Sequence, residues 1–186
     1  MVWVGYPDNL HLLEPVRAAL CDPRLARYRL VTISRGPGAT LQWHPRRVWR
    51  DLLDGDIAVL PMAPAPPAAA DRPPGWYPSK PNTRMTMLKS LGLPIVATPI
   101  DSYVATLRHR EGCLFAETVQ EWADALATLA DPAARARIGL AERERILATW
   151  GADAIGRRWL ALVEQLCGRP GPVEPAVAEA HGGGAP

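Results

Sequence analysis

Up to Ala116, apolar residues come in short runs divided by turn-forming residues; beyond it they recur mainly at helical spacing. Val2 to Tyr6 is an apolar run closed by Pro7-Asp8-Asn9, a turn that also offers a helix cap. Leu12, Leu13, Val16, Ala19 and Leu20 follow at helical spacing. Arg29 to Ser34 reads as a second strand ended by Gly36-Pro37-Gly38, Pro45 to Leu53 as a short helix, and Asp56 to Leu60 as a third strand. Asn82 to Leu91 is helical, with Met85, Leu88 and Leu91 on one face and Gly92 and Pro94 as its stop. Ile95 to Thr98 has the unbroken apolarity of a strand buried on both faces of a parallel sheet. A short helix over Ser102–His109 and a fifth strand over Gly112–Ala116 follow. Helices then fill Thr118–Ala130, Pro132–Thr149 and Ala152–Leu166.

Two stretches break the pattern. Residues 61–81 hold eight prolines, too many missing N–H donors for a strand or a long helix. Residues 168–186 are rich in Pro, Gly and Ala and are expected to be a disordered tail. The alternation between them predicts an α/β fold: one doubly wound, Rossmann-like parallel sheet of about five strands with C-terminal helices, occupying residues 1–167. Such a sheet binds ligands beyond the carboxyl ends of its strands, where the strand order reverses. With the strands at Val2 and Ile95 flanking that reversal, the loops Tyr6–Asn9 and Pro99–Tyr103 face the crevice.

Composition narrows the chemistry. The 186 residues carry 21 basic and 19 acidic side chains, a net charge of +2, which gives no reason to expect nucleic acid as a partner. No apolar run approaches the ~20 residues of a membrane span, and the N-terminus lacks a signal-peptide pattern. Cys21, Cys113 and Cys167 are odd in number and widely spaced, against a disulfide framework or a zinc site. The four histidines have no ligand spacing, so no metal or other cofactor is expected, and the compartment expected is the cytoplasm. Scarce lysine and abundant Arg, Ala and Pro fit a GC-rich bacterial genome. Neither a P-loop nor a G-x-S-x-G elbow occurs, and Cys113 falls in a buried strand, as a core residue rather than a nucleophile.

Ser79-Lys80-Pro81-Asn82-Thr83-Arg84 is the most informative stretch. It ends the proline-rich loop and opens a helix, whose N-terminal N–H groups suit an anion. Lys80 and Arg84 bracket that terminus, and Asn82 or Thr83 can cap it and reach a ligand hydroxyl. The combination suits a diphosphate. The same residues also read as an ordinary helix start, with a solvated lysine, an asparagine cap and an arginine paired to a carboxylate.

The segment Leu91-Gly92-Leu93-Pro94-Ile95-Val96-Ala97-Thr98-Pro99, after an N-x-R helix, resembles the donor-binding core of GT-B glycosyltransferases. Tyr103–His109 resembles that family's short Y-x-x-x-I helix, and Glu111–Ala116 its N/E-G-x-L/F strand. Glu121-Trp122 sits at a helix start, and Asp131–Arg145 resembles D-P-x-x-R-x-x-x-G-x-A-x-R-x-R. The likeness is good over residues 80–150 and loose over 2–60. It implies the C-terminal, donor-binding half of a two-domain glycosyltransferase, with a nucleotide sugar as partner. The resemblance places the diphosphate at Lys80–Arg84, with Ser79, Asn9, Asn82, Thr83 and Tyr103 as further donor contacts.

Two positions depart from it. The paired glutamates of many retaining members fall on Ser79 and Met87, and Tyr6–Leu13 holds no Arg/Lys pair. The segment therefore matches a divergent Lys-Pro-Asn-Thr-Arg type, with catalytic residues unassigned. The acceptor side, by the resemblance, comes from elsewhere, including a separate acceptor-domain protein. A non-catalytic nucleotide-binding module, an interaction subunit docking through the apolar last helix, and peripheral contact of the arginine-rich surface with an anionic membrane stay open as alternatives.

Overall fold

The computed structural model describes residues 1–62 and 81–168. Most of the proline-rich loop and all but the first residue of the tail lie outside these. The chain divides into two units, Met1–Ala148 and Thr149–Pro186.

The first unit is built on six parallel strands: β1 (Val2–Val4), β2 (Val31–Ser34), β3 (Leu41–Gln42), β4 (Ala58–Leu60), β5 (Ile95–Ala97) and β6 (Leu114–Phe115), in the order β3-β2-β1-β4-β5-β6. Val2, Trp3 and Val4 pair with Val31, Thr32 and Ile33. On the other side, Ala58, Val59 and Leu60 of β4 pair with Ile95, Val96 and Ala97.

Both faces of the sheet are buried, which is why the strands read as unbroken apolar runs. Val2, Val4, Ile33, Ala58, Leu60, Ile95 and Ala97 form one core. It includes Val48 and Leu52 of α2 (Val48–Leu53), Met85 and Leu88 of α3 (Thr83–Ser90), and Tyr103 of α4 (Asp101–Val104). Trp3, Ile57, Val59, Val96 and Leu114 turn the other way. They join Val16 of α1 (Glu14–Ala19), Trp122 and Leu126 of α5 (Val119–Thr128), and Ile138 of α6 (Pro132–Leu140). Each fully buried Leu or Ile contributes about 1.5–3 kcal/mol of transfer free energy.

Several expectations change. The sheet has six strands, because Leu41–Gln42 adds a two-residue strand too short to show periodicity. The connection from β2 to β3 turns on Gly36 and Gly38, both at φ 85°. It is braced by Thr32 and Thr40, each of whose hydroxyls accepts the other's amide N–H. The neighbour of β1 across the reversal is β4, not the strand at Ile95. Finally, the helix expected over Pro132–Thr149 is two, α6 and α7 (Arg143–Trp150). Ala141 is extended and Glu142 is left-handed at φ 59°. There the Glu142 carboxylate accepts the Arg108 amide and pairs with Arg145 at 3.1 Å.

The second unit contains α8 (Ala152–Cys167), on which Ile155, Trp159, Leu162 and Leu166 recur at helical spacing. Among the described residues no helix is long and apolar enough to cross a membrane.

Candidate functional site

At the switch between β1 and β4, the chain leaving β1 passes through Gly5, Tyr6 and Pro7. Gly5 is required there, since a Cβ would overlap the Trp3 ring. A cavity of about 320 Å³ opens at this end, lined by Val4, Gly5, Tyr6, Pro7, Arg35, Trp43, Arg84 and Met87. Its volume is at the small end of the range for small-molecule sites.

Four elements converge on it. Arg84 comes from the first turn of α3. Its guanidinium donates to the Val4 carbonyl at 3.3 Å and lies 3.8 Å from the Met62 sulfur. Arg35 follows β2, with its guanidinium carbon 4.5 Å from the centre of the Trp43 ring. Trp43 follows β3, and its amide donates to the Ser34 carbonyl at 2.8 Å. Gln42 fixes the turn after Arg35, accepting from the Gly36 amide at 3.2 Å and donating to its carbonyl at 3.0 Å. Among the described residues neither Arg35 nor Arg84 forms an ion pair. Two guanidiniums beside an indole, with no carboxylate among the described lining residues, suit an anion carrying a flat or apolar group.

The residues anticipated from sequence are distributed unevenly. Arg84 lines the cavity, as does Tyr6 of the anticipated loop. Asn82 occupies the N-cap position of α3 but makes no cap hydrogen bond. Its Nδ2 instead donates to Thr106 Oγ1 at 2.8 Å, and that hydroxyl donates to the Ser102 carbonyl at 2.5 Å. Tyr103 is 1% exposed and lies in the core rather than on the crevice wall. Burial raises its phenol pKa, and the nearby Arg84 charge opposes that rise. Thr83 is exposed at the first turn of α3, and Asn9, half-buried, follows the Tyr6 turn; neither lines the cavity. Ser79 and Lys80 lie outside the described residues.

Arg35 and Trp43 were not anticipated. Their only sequence signal is a basic and an aromatic residue just past short apolar runs, which becomes meaningful once β3 exists. Met87, one of the two positions where the resemblance departs from the paired glutamates, also lines the cavity.

A second cavity, of about 560 Å³, lies along the edge strand β6 against α5 and α6. Its carboxylates are already engaged. Glu121 accepts the Glu117 and Thr118 amides, and Asp124 pairs with Arg24 at 2.8 Å. It is away from the strand-order reversal. Among the described residues no group of three His, Cys, Asp or Glu side chains converges as a metal site. Cys113 is buried, and burial pushes its thiol up to about 12, which keeps it an inert core group.

Residues 74–161 match the model of a glycosyl transferase-like family. No curated protein matches the chain. The matched segment includes α3, β5, β6, α5 and α6, and so contributes Arg84 and Met87 to the cavity. Tyr6, Arg35 and Trp43 come from outside it. Together with the all-parallel sheet, the match supports a glycosyltransferase fold and glycosyl transfer as the general function.

Proposed function

We propose that the chain is the donor-binding half of a GT-B glycosyltransferase, holding a nucleoside-diphosphate sugar at the switch between β1 and β4. The observation that carries this reading is Arg84. It is a half-buried guanidinium at the first turn of a helix, facing a cavity with no carboxylate among its described lining residues. Glycosyl transfer leaves a diphosphate whose negative charge grows as the glycosidic bond breaks. Arg84, Lys80 and the amides opening α3 would stabilise that charge more in the transition state than in the ground state. Asn82, through its link to Thr106, would hold the α3 terminus in place rather than cap it. The sugar acceptor and any general base come, on this reading, from a second domain or a partner chain.

Calorimetric titration with UDP, GDP and ADP, for the wild type and for Arg84→Ala and Lys80→Ala, tests the reading. Saturable binding of one nucleotide, weakened in both variants, is expected. A wild-type chain that binds none of the three sinks the donor site. A second reading, an interaction subunit, is favoured by Trp159, Leu162 and Leu166, which recur at helical spacing on α8. Turnover only in the presence of a co-purifying acceptor-domain chain would select it.

A further inference from the structure

We propose that Arg35 and Arg84 form a two-guanidinium clamp for the diphosphate, with Trp43 as the residue that positions Arg35; the proposal rests on the donor-site reading above. The two arginines reach one cavity from different elements, Arg35 from the end of β2 and Arg84 from α3. Among the described residues Arg84 makes two long contacts, to the Val4 carbonyl and the Met62 sulfur, although a guanidinium carries five N–H groups.

The Arg35 guanidinium carbon sits over the Trp43 ring, 4.5 Å from its centre, and a guanidinium held in this way can still offer paired N–H groups to phosphate oxygens. Gln42 grips both the N–H and the C=O of Gly36, so the backbone beside Arg35 is fixed as well. Two like charges lining one cavity, with no carboxylate among its described lining residues, repel each other, and a doubly charged anion between them removes that cost. The loop Tyr6–Leu13 has no Arg or Lys, so the cavity's formal charge comes from β2 and α3 instead of the turn after β1.

The test is calorimetric titration of the full chain with inorganic pyrophosphate and with UDP, GDP and ADP. Arg35→Ala and Arg84→Ala are each expected to weaken the best nucleotide about 10- to 100-fold, the loss of one charge-assisted hydrogen-bonded contact. Trp43→Ala is expected to match Arg35→Ala, and Trp43→Phe to stay within about threefold of wild type because a stacking face remains. Arg35 is exposed, so its variant should melt with the wild type and report on binding alone. Nucleotide affinity unchanged by Arg35→Ala overturns the clamp and leaves the donor-site reading standing. Pyrophosphate binding that needs both arginines, with no gain from any nucleoside, supports the clamp and overturns the nucleotide reading. No binding of any of the four probes by the wild type overturns both.

Discussion

Lys89 is a lysine with no exposure, a rare placement for the most hydrated of the cationic side chains. Its ammonium donates to the Gly112 carbonyl at 2.7 Å and to the Ile138 carbonyl, tying α3 to the loop before β6 and to the end of α6. Burial lowers its pKa from 10.5 to about 8, partly offset by Cys113 and Glu142. Above about pH 8 the folded state therefore releases a proton that the unfolded chain keeps until about 10.5, so the unfolded state binds more protons and stability rises with pH. Cys113 works the other way. Its unfolded thiol ionises near 9 and its folded one near 12, so its contribution falls above pH 9. Denaturant melts between pH 7 and 10.5 are expected to gain stability from 8 to 9 and then flatten or fall. Lys89→Met should remove the rise, and Cys113→Ala should soften the fall. A rise that persists in Lys89→Met would show that another group carries it. In the sequence, Lys89 directly follows Leu88 in α3, and no neighbouring residue marks it as buried. Its burial is set by the carbonyls that α6 and the 108–113 segment bring to it, which no local pattern contains.

Elements were legible where local chemistry specifies them. Thr118 and Glu121 form the reciprocal capping box that opens α5. Asp131 accepts the Ala133 and Ala134 amides ahead of Pro132 at the start of α6. Gly92, left-handed at φ 79°, follows the end of α3. Elements set by distant partners were not legible. β3 exists because Leu41 pairs with Ile33, and α6 and α7 separate because Glu142 is drawn to Arg108 and Arg145. The edge strand β6 was legible as the apolar run within Gly112–Ala116, but the contacts that hold its edge were not. Its Phe115 amide donates to His109 Nδ1 at 3.0 Å, and the carbonyl of Cys113, just ahead of β6, accepts from the Arg110 amide, so the loop before β6 folds back over the edge. Gly139 of α6 shows how closely two elements can meet. A Cβ there would overlap the Gly92 carbonyl and press on Pro94. Gly139→Ala gains helix propensity in α6 but must push it off that backbone. A net loss of about 1–3 kcal/mol is expected, read as a lower urea midpoint. An unchanged midpoint would mean that α6 can shift without cost.

At the scale of the whole molecule, strand order decides where chemistry is placed. With β4 beside β1, the strand order reverses between those two strands, and β5 stands one strand away. Tyr103, which follows β5, lies in the core, while Arg35 and Trp43, which follow β2 and β3, line the cavity. A nucleoside diphosphate that binds there should raise the melting temperature by mass action. At a ligand concentration of ~100 Kd the gain is about 2.7 kcal/mol, or roughly 5–10 °C for a chain of this size. The shift should be lost in Arg84→Ala and shrink with added salt, since screening weakens an exposed ionic site. A shift that survives Arg84→Ala would place the ligand elsewhere, the edge cavity beside β6 being the first place to look. The sequence by itself determined the α/β alternation and most helix positions, because caps, turns and periodicity act within a few residues. Strand order, β3, the buried Lys89 and the Arg35–Trp43 pair were decided by the tertiary structure alone. Each depends on hydrogen bonds or packing between segments far apart in the chain, and their partners are fixed only once the sheet has closed around β1.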